Sequence, residues 1–134
     1  TDFPNDKTAG MAGVVAIPHL GASTEESEDN CAMMAVKQVM NYIENGNIKN
    51  SVNYPNAEMN ATGTKICIMH KNVPDVISKL TSVLGQLGIN IENMVSKSKK
   101  DYAYTMLDAA GDINGDIVNK LAAVDSVIKI RVIK

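Results

Sequence analysis

No run of 18 apolar residues occurs anywhere in the 134-residue chain, so a membrane-spanning helix is not expected. Basic charge is not in excess: 13 Lys and Arg against 15 Asp and Glu give a formal charge of −2, which removes the electrostatic basis for a nucleic-acid partner. Lys97, Lys99 and Lys100 fall in a turn-like stretch and read as a solvated surface. Cysteine occurs twice, as Cys31 and Cys67, without ligand spacing; both are expected to be reduced, small buried groups of a cytoplasmic protein, and no metal is expected. No G-x-G-x-x-G is present, so the chain lacks a dinucleotide loop. It starts at Thr1 with neither methionine nor a signal-peptide pattern, and the expectation is a piece of a longer protein. What it does have is 45% apolar residues, enough for a packed core.

Residues 14–18, Val-Val-Ala-Ile-Pro, form a short apolar run suited to a strand covered on both faces. Ser23 and Glu26 then stand at capping-box spacing, and Ala32, Val36, Val39 and Ile43 recur at helical spacing up to Gly46. This pattern predicts one long helix over about 24–45. Residues 47–63 lose periodicity and read as a connector. From 64 onward, alternation predicts a strand through Ile66, Ile68 and His70. A helix opened by Pro74 buries Val76, Ile77, Leu80, Leu84 and Leu87 and ends at Gly88. Strands at 90–97 and 101–109 flank a polar turn, a second helix starts near Asn114, and a last strand runs from Val127 to Ile133. The order βαββαβ within about 70 residues predicts an α+β, ferredoxin-like sheet with both helices on one face.

The phrase Pro18-His19-Leu20-Gly21-Ala22-Ser23-Thr24 resembles the histidine signature of the D-2-hydroxyacid dehydrogenase family. The resemblance implies that His19 is the general acid/base that exchanges a proton with the substrate hydroxyl while hydride moves to NAD, chemistry that suits an imidazole. It also implies that Asp2, in Thr1-Asp2-Phe3-Pro4, lies near the nicotinamide, with Gly21 letting backbone approach the ring. Asn50-Ser51-Val52-Asn53-Tyr54-Pro55 is similar to the family's exit from its catalytic body.

Residues 64–134 resemble the ACT domain of the serine-regulated phosphoglycerate dehydrogenases. His70-Lys71-Asn72, ahead of Val73-Pro74, matches the family's His-x-Asn, and Asn90 in Gly88-Ile89-Asn90-Ile91 matches its later asparagine. The resemblance implies that His70, Asn72 and Asn90 contact an amino-acid effector, L-serine; the strand at 90–97 falls at one edge of the predicted sheet, so two copies are expected to join edge to edge in a homodimer, with the effector at its interface. Neutral amides and an imidazole suit its hydroxyl and ammonium without burying a fixed charge. Where the family has glycine after the proline, this chain has Asp75.

The resemblance therefore implies residues 1–55 as the end of a dehydrogenase body, a partial α/β remnant of strand plus long helix, then a linker at 56–63 and an ACT domain at 64–134. The parent would oxidise D-3-phosphoglycerate with NAD. The chain alone, without the nucleotide loop, the family's substrate-binding arginine or the acid that pairs with its histidine, would be inactive. Two alternatives remain open at this point: an ACT domain acting only as an oligomerisation module, and a parent of the same family with another substrate and another amino-acid effector.

Overall fold

The computed structural model describes residues 1–134. They separate into two compact units, Thr1–Lys37 and Gln38–Lys134, described here one at a time.

The first unit carries the start of helix α1, Glu25–Asn45, which continues into the second. The Thr24 hydroxyl accepts from the Ser27 amide at 3.2 Å. The cap thus sits one residue beyond the Ser23 that the spacing predicts. Glu25, Glu26 and Glu28 fill the first turn, where the helix dipole favours negative charge. Residues 14–18 do not form the expected strand. A strand covered on both faces needs neighbouring strands and packed layers. This segment has instead the Thr1 ammonium donating to the Val15 carbonyl and the Ile17 amide donating to the Thr1 carbonyl, both at 2.9 Å, with Val15 and Ile17 exposed. The apolar stripe of α1 is left uncovered: Val36, Val39 and Ile43 are exposed, and α1 buries no residue.

The second unit is built on four strands, β1 (Thr64–Lys71), β2 (Ile91–Lys99), β3 (Tyr102–Ala109) and β4 (Val127–Ile133), in the order β2-β3-β1-β4. Every pairing is antiparallel. Helices α2 (Val76–Gln86) and α3 (Gly115–Ala122) complete the βαββαβ ferredoxin-like plan. Strand alternation sends Ile66 and Ile68 of β1 and Leu107 and Ala109 of β3 into one core with Val76, Leu80 and Leu84 of α2 and Leu121 of α3. At 11 and 8 residues these helices are too short to be stable alone, so burial of that stripe holds them. The Asn114 side chain caps α3, accepting from the Ile117 amide at 3.1 Å.

The start of α2 departs from the sequence pattern. Its N-cap is Asp75 at φ 66°, ψ −9°, with no side-chain cap bond, and the helix proper begins at Val76 rather than at Pro74. A left-handed residue cannot continue a right-handed helix, which sets the boundary.

The opposite face of the sheet is also covered. Cys67, Tyr104 and Met106 pack with Ile48, Ala57 and Met59, and Ile48 and Ala57 exchange backbone hydrogen bonds at 2.8 and 3.0 Å. Residues 47–61 therefore contribute a second core.

Candidate functional site

In the first unit His19 and Asp2 come together across 16 intervening residues: Nδ1 lies 2.5 Å from the Asp2 carboxylate. The Phe3 and His19 ring centroids are 4.4 Å apart. A carboxylate on Nδ1 holds a proton there and leaves Nε2 as the acceptor, the arrangement a general base needs. Both side chains are about half exposed, 56% for His19 and 47% for Asp2. Asp2, assigned to the nicotinamide by resemblance, is thus engaged with the histidine, and the stacking by Phe3 had no signal beyond its place in the phrase. At Gly21 an added Cβ would meet nothing within 4 Å.

In the second unit His70 closes β1 and is only 3% exposed. Its Nδ1 lies 2.8 Å from the Lys71 carbonyl, which requires N–H there, so Nε2 accepts from the Thr105 hydroxyl at 2.9 Å. Thr105 Oγ1 in turn lies 2.7 Å from Ser96 Oγ. A directional relay thus runs from Ser96 on the edge strand through Thr105 to His70. The signal for it was a polar residue at a core-facing position of β3, opposite Ile68. Asn72 donates from Nδ2 to the Lys100 carbonyl at 3.0 Å, tying the end of β1 to the β2–β3 turn.

Asn90 is elsewhere. Its carbonyl accepts from Ala110, and its Nδ2 donates to Glu92 at 2.7 Å. The register places Ile91 beside Ala109 and Thr64, whereas His70 lies beside Ala103 and Ser98. At ~3.3 Å per residue, Asn90 is roughly 20 Å along the sheet from His70. One chain does not bring the three together.

Asp108 of β3 is a further functional group of this unit. Its buried carboxylate accepts from the Thr62 amide at 2.7 Å, the Thr62 hydroxyl at 3.1 Å and the Gly63 amide at 2.9 Å. The Thr62 backbone bond foremost, with those from Gly63 and the Thr62 hydroxyl and the Lys65 charge, holds this carboxyl below the usual carboxylate range. A depressed folded pKa gives stability that is present above the unfolded value, ~3.9, and lost as pH falls through the folded value. Urea midpoints should therefore drop on acidification below about pH 4. In Asp108→Asn that drop should be smaller and the midpoint at pH 7 lower. An unchanged acid limb in the variant would remove Asp108 from the account. Cys67 is held the other way: burial pushes its thiol up, so it is a poor nucleophile.

No family model matches the chain. Among curated proteins it is similar over most of its length to D-3-phosphoglycerate dehydrogenases. It is 27% identical over 122 residues to that of Haemophilus influenzae, 90% of this chain and 30% of the relative. It is 24% identical over 123 residues to that of Escherichia coli K12, again 90% and 30%. It is 29% identical over 113 residues to D-3-phosphoglycerate dehydrogenase 1 of Saccharomyces cerevisiae, 80% and 24%. The chain spans about 30% of the length of the first of these relatives. Solved structures similar to it include the ACT domain of the GTP pyrophosphokinase of Chlorobium tepidum, with TM-score 0.45 and 20% identity over 52% of this chain and 95% of that one. An ACT domain protein from Streptococcus pneumoniae has TM-score 0.43 and 19% identity, covering 55% and 89%.

Proposed function

We propose that the chain is the histidine-bearing and regulatory part of an NAD-dependent D-3-phosphoglycerate dehydrogenase of serine biosynthesis, a cytoplasmic enzyme whose ACT domain binds L-serine across a two-fold interface. His19 takes the proton of the substrate hydroxyl, with Asp2 fixing its tautomer; NAD, held by the parent, would supply the hydride acceptor. In this chain Asp2 and Gly21 are the candidates to lie near the nicotinamide, but the Asp2 carboxylate is engaged by His19 and no G-x-G-x-x-G is present to hold the pyrophosphate. NAD binding is therefore assigned to the parent and not to these 134 residues.

The observation that carries the regulatory half is the split placement of the effector residues. β2 is an edge strand, and exposed edges pair. Antiparallel pairing of the whole of Ile91–Lys99 with a second copy centres on Val95 and sets Asn90 of that copy beside Lys100. Lys100 is the residue whose carbonyl Asn72 already holds. Dimerisation thus closes the ~20 Å gap that one chain leaves open. A ligand gripped by both chains has the differential affinity for two arrangements that regulation requires.

The test uses exposed residues, because His70 is buried and its loss would disturb packing. In the parent enzyme, Asn72→Ala and Asn90→Ala should each abolish inhibition by serine, with uninhibited turnover within a factor of about two, since neither touches the reacting atoms. A heterodimer of the two variants keeps one of its two sites intact, so mixing them should restore part of the inhibition. If mixed dimers form and none returns, the shared site is wrong. If wild type ignores serine but dimerises, the domain is an oligomerisation module, and Asp75, where the ACT pattern it resembles has glycine, is the first residue to examine.

A further inference from the structure

Helix α1 has no basic residue in its last turn, and the final carbonyls of a helix lack intrahelical partners. Three side chains from the face of the sheet opposite α2 and α3 reach this end, on the carbonyls of Tyr42 (which also accepts from the Gly46 amide at 2.9 Å), Ile43 and Asn45 and on that of Gly46 just past the helix. Arg131 of β4 donates from its two terminal nitrogens to the Tyr42 and Ile43 carbonyls at 3.0 and 2.9 Å, with its guanidinium carbon 4.7 Å from the Tyr42 ring centroid. Lys65 of β1, 5% exposed, donates to the Asn45 carbonyl at 2.6 Å and the Met59 carbonyl at 2.5 Å. Tyr104 of β3, fully buried, donates to the Gly46 carbonyl at 2.7 Å.

Neither cation has a carboxylate partner: the ion pairs of the structure are His19–Asp2 and Lys134–Asp112. Lys65 and Arg131 are instead placed at the negative end of the helix dipole. The planar fork of arginine on two successive carbonyls fixes direction as well as distance. Gly46 seals the joint. Its φ of 68° turns the chain out of the helix, and a Cβ there would sit 2.5 Å from Cys67 Sγ.

We propose that Lys65, Tyr104 and Arg131 are a coupling clamp: three strands grip the end of α1 so that helix end and sheet move as one body, and a shift of the sheet on effector binding reaches the helix through this grip rather than through the connector at 47–63. The regulatory use of the clamp rests on the reading given under Proposed function; the grip itself does not.

Two readouts separate them. The first is amide exchange in the 134-residue chain carrying Tyr104→Phe with Arg131→Met, substitutions that remove donors while keeping side-chain bulk. Amides around the end of α1, Gly46 above all, should exchange at least tenfold faster, with β1 and β3 amides unchanged as the control for folding. Unchanged exchange at Gly46 overturns the grip. Arg131→Lys, able to reach one carbonyl but not fork across two, should fall between wild type and Arg131→Met. The second readout is the parent enzyme with the same double substitution. Serine binding by calorimetry should stay within a few-fold of wild type, while inhibition falls at least fivefold. Retained inhibition together with faster exchange overturns the coupling role. A wild-type parent that neither binds nor responds to serine sinks the effector assignment, and the exchange result still decides the grip.

Discussion

Alanine at position 46 is expected to lower the stability of the second unit by about 2–5 kcal/mol, the sum of two costs. Gly46 has φ 68°, a left-handed conformation that costs a residue with a Cβ ~1–2 kcal/mol. The new Cβ would also sit 2.5 Å from Cys67 Sγ and 2.9 Å from Ile133 Cδ1, side chains already packed in the second core, and overpacking of that kind costs ~1–3 kcal/mol. Gly88 separates the two contributions. Its φ is 69°, yet a Cβ there would meet nothing within 4 Å, so Gly88→Ala should carry the backbone cost alone. Urea unfolding of both variants checks this. Equal losses would mean that the close approach at Gly46 relaxes without cost, and the seal at the helix end would be looser than its geometry.

His19→Ala in the parent enzyme should reduce turnover by roughly two to four orders of magnitude, the usual worth of a positioned acid/base. Nucleotide binding, which this residue does not serve, should be nearly unchanged. The Asp2 contact at 2.5 Å gives a second handle. Asp2→Asn keeps a hydrogen bond to the ring but removes the carboxylate that fixes the proton on Nδ1, so turnover should fall. Steady-state rates of D-3-phosphoglycerate oxidation measure both variants. Turnover of His19→Ala within a few-fold of wild type would end the acid/base assignment.

The βαββαβ order was legible because each element of 64–134 carries its own period. Ile66 and Ile68 alternate with Cys67, Leu80 and Leu84 share a helical stripe, and Asn114 is a cap by residue type. The strand expected at 14–18 did not form, and the apolar stripe of α1 lies exposed although the helix itself was legible, because periodicity reports which face is apolar and not what covers it. The left-handed Asp75 was hidden since aspartate, though enriched among left-handed residues, adopts that conformation uncommonly; only its place where the resembled ACT pattern has glycine marked the spot. Lys65 is buried because segment 46–61 closes over that face, a coverage that strand alternation alone does not report. For the candidate sites, the places of His70 near the end of β1, Asn72 just past it and Asn90 just ahead of β2 were legible. The relay through Thr105 and Ser96 depends on register between strands, which no single stretch of sequence carries.

The lysines of β2 set a limit on how that edge can be used. In the pairing centred on Val95, Lys97 falls opposite Asn93 of the second copy, Lys99 opposite Ile91, and Glu92 opposite Ser98, so no like charges meet. Slide the two strands so that Ser98 becomes the centre, and Lys97 faces Lys99 twice across the axis, a repulsion that shorter pairing does nothing to offset. Charge on this edge therefore tolerates the full-length alignment and penalises slips toward its lysine-rich end.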